Sequence, residues 1–112
     1  MQERLLAEKL IGYDTSHDEG IRNCAGFVKG WLEARDIRTG ALEVRNLPIV
    51  LAEVGPKSGP VVVMHGHIDV VPARDGQFEP RVEGDRLIGR GAYDMKGAAA
   101  AMMLALADLR EQ

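Results

Sequence analysis

Leu5, Leu6, Lys9 and Leu10 follow a helical repeat, which predicts a first helix that stops near Gly12, where YDTSHDEG supplies turn and capping residues. Ile21, Ala25, Phe27, Val28, Trp31 and Leu32 recur at helical spacing over residues 19 to about 35, so a second, amphipathic helix follows, with Phe27 and Trp31 as core residues. IRTGALEVRNL then alternates in the strand manner, and PIVLAEV reads as a strand opening at Pro48, where the missing amide is tolerated. GPKSGP is a turn. VVVMHGHIDVV, residues 61–71, is apolar on both faces, the pattern of a buried central strand. GDRLIGRG reads as a short strand returning through glycines to a helix that begins near Met95. The run AAAAMMLALA, residues 98–107, falls short of the roughly 20 apolar residues a bilayer requires. A helix apolar on every side belongs inside a protein, and Lys96, one turn into it, is expected to reach outward by snorkelling. Helices and strands mixed in this order predict an α/β layer structure with a buried central sheet.

Composition supports one globular domain: 112 residues, 46% hydrophobic and 28% charged, suffice for an ordinary core. The net charge of −3, with both signs interspersed and no basic stripe, excludes nucleic acid as the expected partner. MQERLLAEKLIG carries four charges among its leucines and lacks the apolar core of a secretory signal, so no membrane is expected and the cytosol is the expected location. Cys24 is the only cysteine, which rules out an internal disulfide and a zinc site built on paired thiolates; its simplest role is a small buried apolar side chain.

Two segments carry candidate chemistry. In HGHIDVVP, a strand with period two would point His65, His67 and Asp69 to one side, at the carboxyl end of a strand, where α/β sheets place their sites. A His-x-Asp pair alone is weak evidence, but a metal-binding histidine usually gives its second N–H to a carboxylate, and His67 with Asp69 has the types for this. In GRGAYDMKG, residues 89–97, Asp94 stands where a dinucleotide loop would need glycine, and no Gly-Lys-Ser/Thr ending follows. A carboxylate there repels phosphate and attracts a cation. Capping the following helix is an equally good reading of Asp94.

Taken together, HGHIDVVP and GRGAYDMKGA resemble the two N-terminal signature motifs of the zinc-dependent amidohydrolase and exopeptidase family of acetylornithine deacetylase, succinyl-diaminopimelate desuccinylase, aminoacylase and carboxypeptidase G. The opening LLAEKLIGYDTS and its amphipathic helix look like that family too, so the resemblance covers nearly the whole chain. It implies a three-layer αβα catalytic domain with a central, mostly parallel sheet, of which residues 1–112 are the N-terminal part. His67 would be a ligand of one metal ion, Asp69 the catalytic carboxylate that orients it, and Asp94 the carboxylate bridging two divalent ions, with a cis peptide bond after it. His65 matches no ligand of the family and is left as a neighbour of the site. Zinc is the implied metal, with cobalt or manganese as alternatives that imidazole and carboxylate ligands also accept. Two cations about 3.5 to 4 Å apart need an anion between them, which suits the bridge; they would activate a water against an amide carbonyl. The substrate class would be N-acyl amino acids or short peptides. A homodimer of the full-length protein is compatible with the resemblance.

The chain also departs from the family. The adjacent Glu-Glu pair that supplies a base and a ligand, the further acidic ligand, the late histidine and the lid or dimerisation domain are absent from these residues. DGQFEP lacks the usual tryptophan, and DMKGA replaces the commoner DMKGG. Arg90 and Tyr93 are candidates for substrate contact, with solvated or packed side chains as the simpler account. The expectation is therefore an incomplete catalytic domain that hydrolyses nothing alone and exposes hydrophobic surface. The alternatives are a non-catalytic remnant or partner-binding module, and a mononuclear metal-binding protein.

Overall fold

A computed structural model describes residues 2–112. Helix α1, Gln2–Ile11, buries Leu6, Ala7, Leu10 and Ile11. It ends at Gly12, whose amide donates to Glu8 O at 3.1 Å. Helix α2, Asp18–Glu33, starts at His17, which has extended backbone and accepts the Gly20 amide on its ring nitrogen Nδ1 at 3.4 Å. Asp18 and Glu19 place negative charge in the first turn, where the helix dipole favours it. Gly20 is required by space: a Cβ there would lie 1.6 Å from Asp14 O.

Strands β1, Arg38–Val44, and β2, Leu47–Glu53, form an antiparallel hairpin from Arg38↔Glu53 to Val44↔Leu47. Arg45 and Asn46 both take positive φ, as a two-residue hairpin turn requires. Arg22 of α2 donates to Asn46 O through Nε and Nη2. A 3-10 turn, Asp75–Phe78, buries Phe78. It leads to a second antiparallel pair, β3, Arg81–Glu83, and β4, Arg86–Ile88; the reading of residues 84–91 found β4 but not its partner. A π-type turn, Ala92–Lys96, then enters helix α3, Gly97–Arg110.

The core lies between helices. Leu6, Ala7 and Leu10 of α1, Cys24 of α2, and Ala99, Ala100 and Met103 of α3 form one cluster, with Phe27, Trp31, Ile68 and Leu104 packed against it. Cys24 is fully buried, and burial pushes its thiol pKa up to about 11. Phe27 and Trp31 are half-buried rather than central, and the Trp31 face carries the Arg35 guanidinium 3.6 Å from the ring centroid.

The mixed α/β class holds, as helices with small antiparallel sheets. The central strand does not form: residues 59–74 contain no strand, and Val61, Val62 and Val63 are 81%, 90% and 82% exposed. A strand apolar on both faces needs a hydrogen-bonded neighbour at each edge. Among the described residues β1 and β2 pair only with each other, as do β3 and β4, so neither pair takes this segment up as a neighbour. No described helix is long and apolar enough to cross a membrane.

Candidate metal-binding site

The two motif segments meet at a histidine. His67 and Asp94 lie 27 residues apart, yet His67 Nε2 is 3.1 Å from Asp94 Oδ1. The other ring nitrogen, Nδ1, is 3.1 Å from the backbone Asp69 O and 3.3 Å from Asp69 Oδ1. Asp69 thus addresses the ring through its main chain as closely as through its carboxylate. Asp94 does not cap the following helix: α3 has no side-chain cap, and the carboxylate turns to His67. The peptide bond after Asp94 is cis. The three side chains lie toward solvent, and Asp94 is 78% exposed.

The donor chemistry suits a cation. A neutral imidazole has one N–H; given to Asp69, it leaves the Nε2 lone pair facing a carboxylate oxygen. Two such lone pairs repel unless a proton, which makes the contact a hydrogen bond, or a metal cation lies between them. Ligands of one four-coordinate ion with bonds of about 2.0–2.1 Å stand roughly 3.3 Å apart, close to the 3.1 Å found here. The set is incomplete, since no group of three or more His, Cys, Asp or Glu among the described residues is arranged to hold a metal ion.

Other residues near the site fall differently from their sequence readings. His65 is exposed, apart from the His67 hydrogen bonds. Tyr93 is 97% exposed. Arg90 is half-buried; its amide donates to Gln77 O at 2.7 Å, and its Nε is buried without a hydrogen-bond partner among the described residues.

Lys96 does not snorkel. It is fully buried, and its Nζ donates to Tyr13 O at 2.9 Å. Burial lowers its pKa, opposed by Cys24 and Asp14. The side that carries Lys96 faces inward, where α1 and the turn after it close over the amine. Thr15, which the sequence places in a turn, is fully buried. Its Oγ1 donates to Ile68 O at 2.5 Å, and its carbonyl accepts the Val70 amide at 3.2 Å. The available signal was a threonine in a polar turn and a lysine at the head of an apolar run, patterns that do not name a partner.

Residues 63–112 match the model of peptidase family M20/M25/M40. The chain is 34% identical over 115 residues to a probable succinyl-diaminopimelate desuccinylase of Staphylococcus epidermidis, covering 96% of this chain, and 33% identical over 116 residues to one of Staphylococcus aureus, covering 97%. A succinyl-diaminopimelate desuccinylase of Erythrobacter litoralis is 44% identical over 62 residues, which cover 52% of this chain and 16% of the relative. The chain spans 28% of the length of each staphylococcal relative. These matches support a relation to the peptidase family M20/M25/M40, over the N-terminal part of its members only.

Proposed function

We propose that this chain supplies the first ligands of a metal-dependent hydrolase that cleaves the amide bond of N-acyl amino acids or short peptides. The observation that carries the reading is His67, held at Nδ1 by Asp69 and facing the Asp94 carboxylate with Nε2. The family match and the desuccinylase relatives support the reaction class, and an N-succinyl diamino acid is the first substrate to test.

His67 and Asp94 would hold the metal, with Asp94 bridging to a second ion and zinc as the metal of choice. When bound, such ions polarise an amide carbonyl and lower the pKa of a water to near neutrality. The chain's own contribution is positional. Asp69 keeps the proton on Nδ1 of His67 and so leaves Nε2 free to bind. Exposure of Asp94 leaves its second oxygen accessible. With a single buried thiol, the chain suits a reducing compartment, and the cytosol is the location we assign to the activity. The 112 residues contain no adjacent Glu pair to act as general base, and by themselves they should not turn over substrate.

The test uses the protein expressed from its own gene. His67→Ala should lose one equivalent of zinc and most of the rate; undiminished zinc content in that variant removes His67 from the ligand set. Chelator-sensitive deacylase activity in the purified 112-residue chain, abolished by Asp94→Ala, would overturn the claim that these residues are insufficient.

A further inference from the structure

His67 and Asp94 share one buried anchor. Thr15 grips the first segment at two points, its hydroxyl on Ile68 O and its carbonyl on the Val70 amide, so the two bonds flank Asp69 on either side. Asp69 O, at 3.1 Å, is nearer His67 Nδ1 than the Asp69 carboxylate is. Any shift of residues 68–70 therefore moves the acceptor that sets the imidazole's rotation. The second segment is tied to the same turn. Lys96, two residues past Asp94, closes its own bend through its amide on Gly91 O at 2.7 Å and docks its Nζ on Tyr13 O. Gly91, at φ +87°, lets the segments touch: a Cβ there would lie 2.8 Å from Val70 Cγ1 and 3.1 Å from Lys96 Cδ. The turn is itself closed, with Asp14 Oδ1 accepting the Ser16 amide at 3.0 Å and the Ser16 hydroxyl at 2.5 Å.

We propose that the turn at residues 13–16 is the positioning element of the metal centre, with Thr15 and Lys96 as positioning residues that set the His67 to Asp94 separation. The proposal rests on the metal-site reading given above. Simple helix docking does not account for these groups, because an apolar side chain would fill the Lys96 position without the cost of burying an amine, and valine would fill that of Thr15. Thr15 bonds to backbone atoms on either side of Asp69, and Lys96, two residues from Asp94, ends on the Tyr13 carbonyl of the same turn.

The experiment takes the protein expressed from its own gene. Zinc affinity is measured by chelator competition, the visible spectrum of the cobalt(II)-substituted protein is recorded, and the melting temperature is followed without metal. Thr15→Val should weaken zinc binding about ten- to a hundred-fold, the range found when groups that orient a metal ligand are removed, and should shift the cobalt bands. Thr15→Ser keeps the hydroxyl and should stay within about twofold of the parent, by the same reasoning. Lys96→Met should weaken zinc binding as well, and the Thr15→Val/Lys96→Met pair should lose less than the product of the single losses, because both act through one turn. A lower melting temperature with unchanged zinc affinity and cobalt spectrum would make the turn merely structural and overturn the proposal. If Thr15→Val does not fold, a tenfold loss of affinity in Thr15→Ser, or none in Lys96→Met, overturns it equally. His67→Ala separates the two ideas. If it loses zinc while Thr15→Val and Lys96→Met do not, only the positioning role falls; if it keeps its zinc, the metal site falls and takes the positioning role with it.

Discussion

Two apolar regions of this chain met opposite fates. Leu6, Leu10, Ala100 and Met103 are buried between α1, α2 and α3, whereas Val61, Val62 and Val63, at least as hydrophobic, lie almost bare. Hydrophobicity was equal; the supply of partners was not. A helix satisfies its own backbone and needs only one packed stripe. A strand must borrow hydrogen bonds from neighbours, and the valine segment has none among the described residues. Yet the lower end of that same segment, residues 67–70, is held, because Thr15 serves as a substitute neighbour at Ile68 and Val70.

Substitutions at matched positions test this contrast. Leu10→Ala, at a fully buried site, should destabilise the fold by about 2–5 kcal/mol in chemical denaturation, while Val62→Ala, the same kind of truncation, should stay within about 0.5 kcal/mol. Equal losses would mean that the valines are covered in solution. Gly20→Ala should cost roughly 1–3 kcal/mol, since the added methyl group meets the Asp14 carbonyl and must push α2 off the turn. A neutral result would show that the turn yields easily and is a poor anchor. A smaller effect is expected from Asp14. Its carboxyl sits below the ordinary value of 3.8, chiefly through the Ser16 hydroxyl bond, helped by the Ser16 amide, His17 and Lys96 against desolvation. With the folded pKa depressed, the stabilisation is fully present above pH 3.8 and is lost as pH falls through the lower folded value. Asp14→Ala should therefore be less stable than the parent at neutral pH, and the gap should narrow in acid below that point. A gap that does not change with pH would mean that the carboxylate's charge contributes nothing.

Much of this was legible in residue order. The helices α1, α2 and α3 followed from periodicity, glycine and capping chemistry, all of which act within a few residues. Strands β1 and β2 followed from the residue pattern, but their pairing did not, since the Arg-Asn turn between them carries none of the usual glycine. The two motifs announced His67 and Asp94 by type. What residue order did not reveal was direction. Lys96 points inward because α1 and its following turn close over it, and Thr15 reaches Ile68 across 53 residues.

Local physics is written locally, so the sequence by itself determined where helices begin and end, that Cys24 would be a buried neutral thiol, and which residue types could bind a cation. Only the tertiary structure decided that His67 and Asp94 face each other, that Asp69 holds the ring through its backbone, that one turn carries both segments, and that the valines find no sheet. Those outcomes depend on which distant groups arrive as neighbours, and a hydrogen bond or a packed face exists only once both partners are in place.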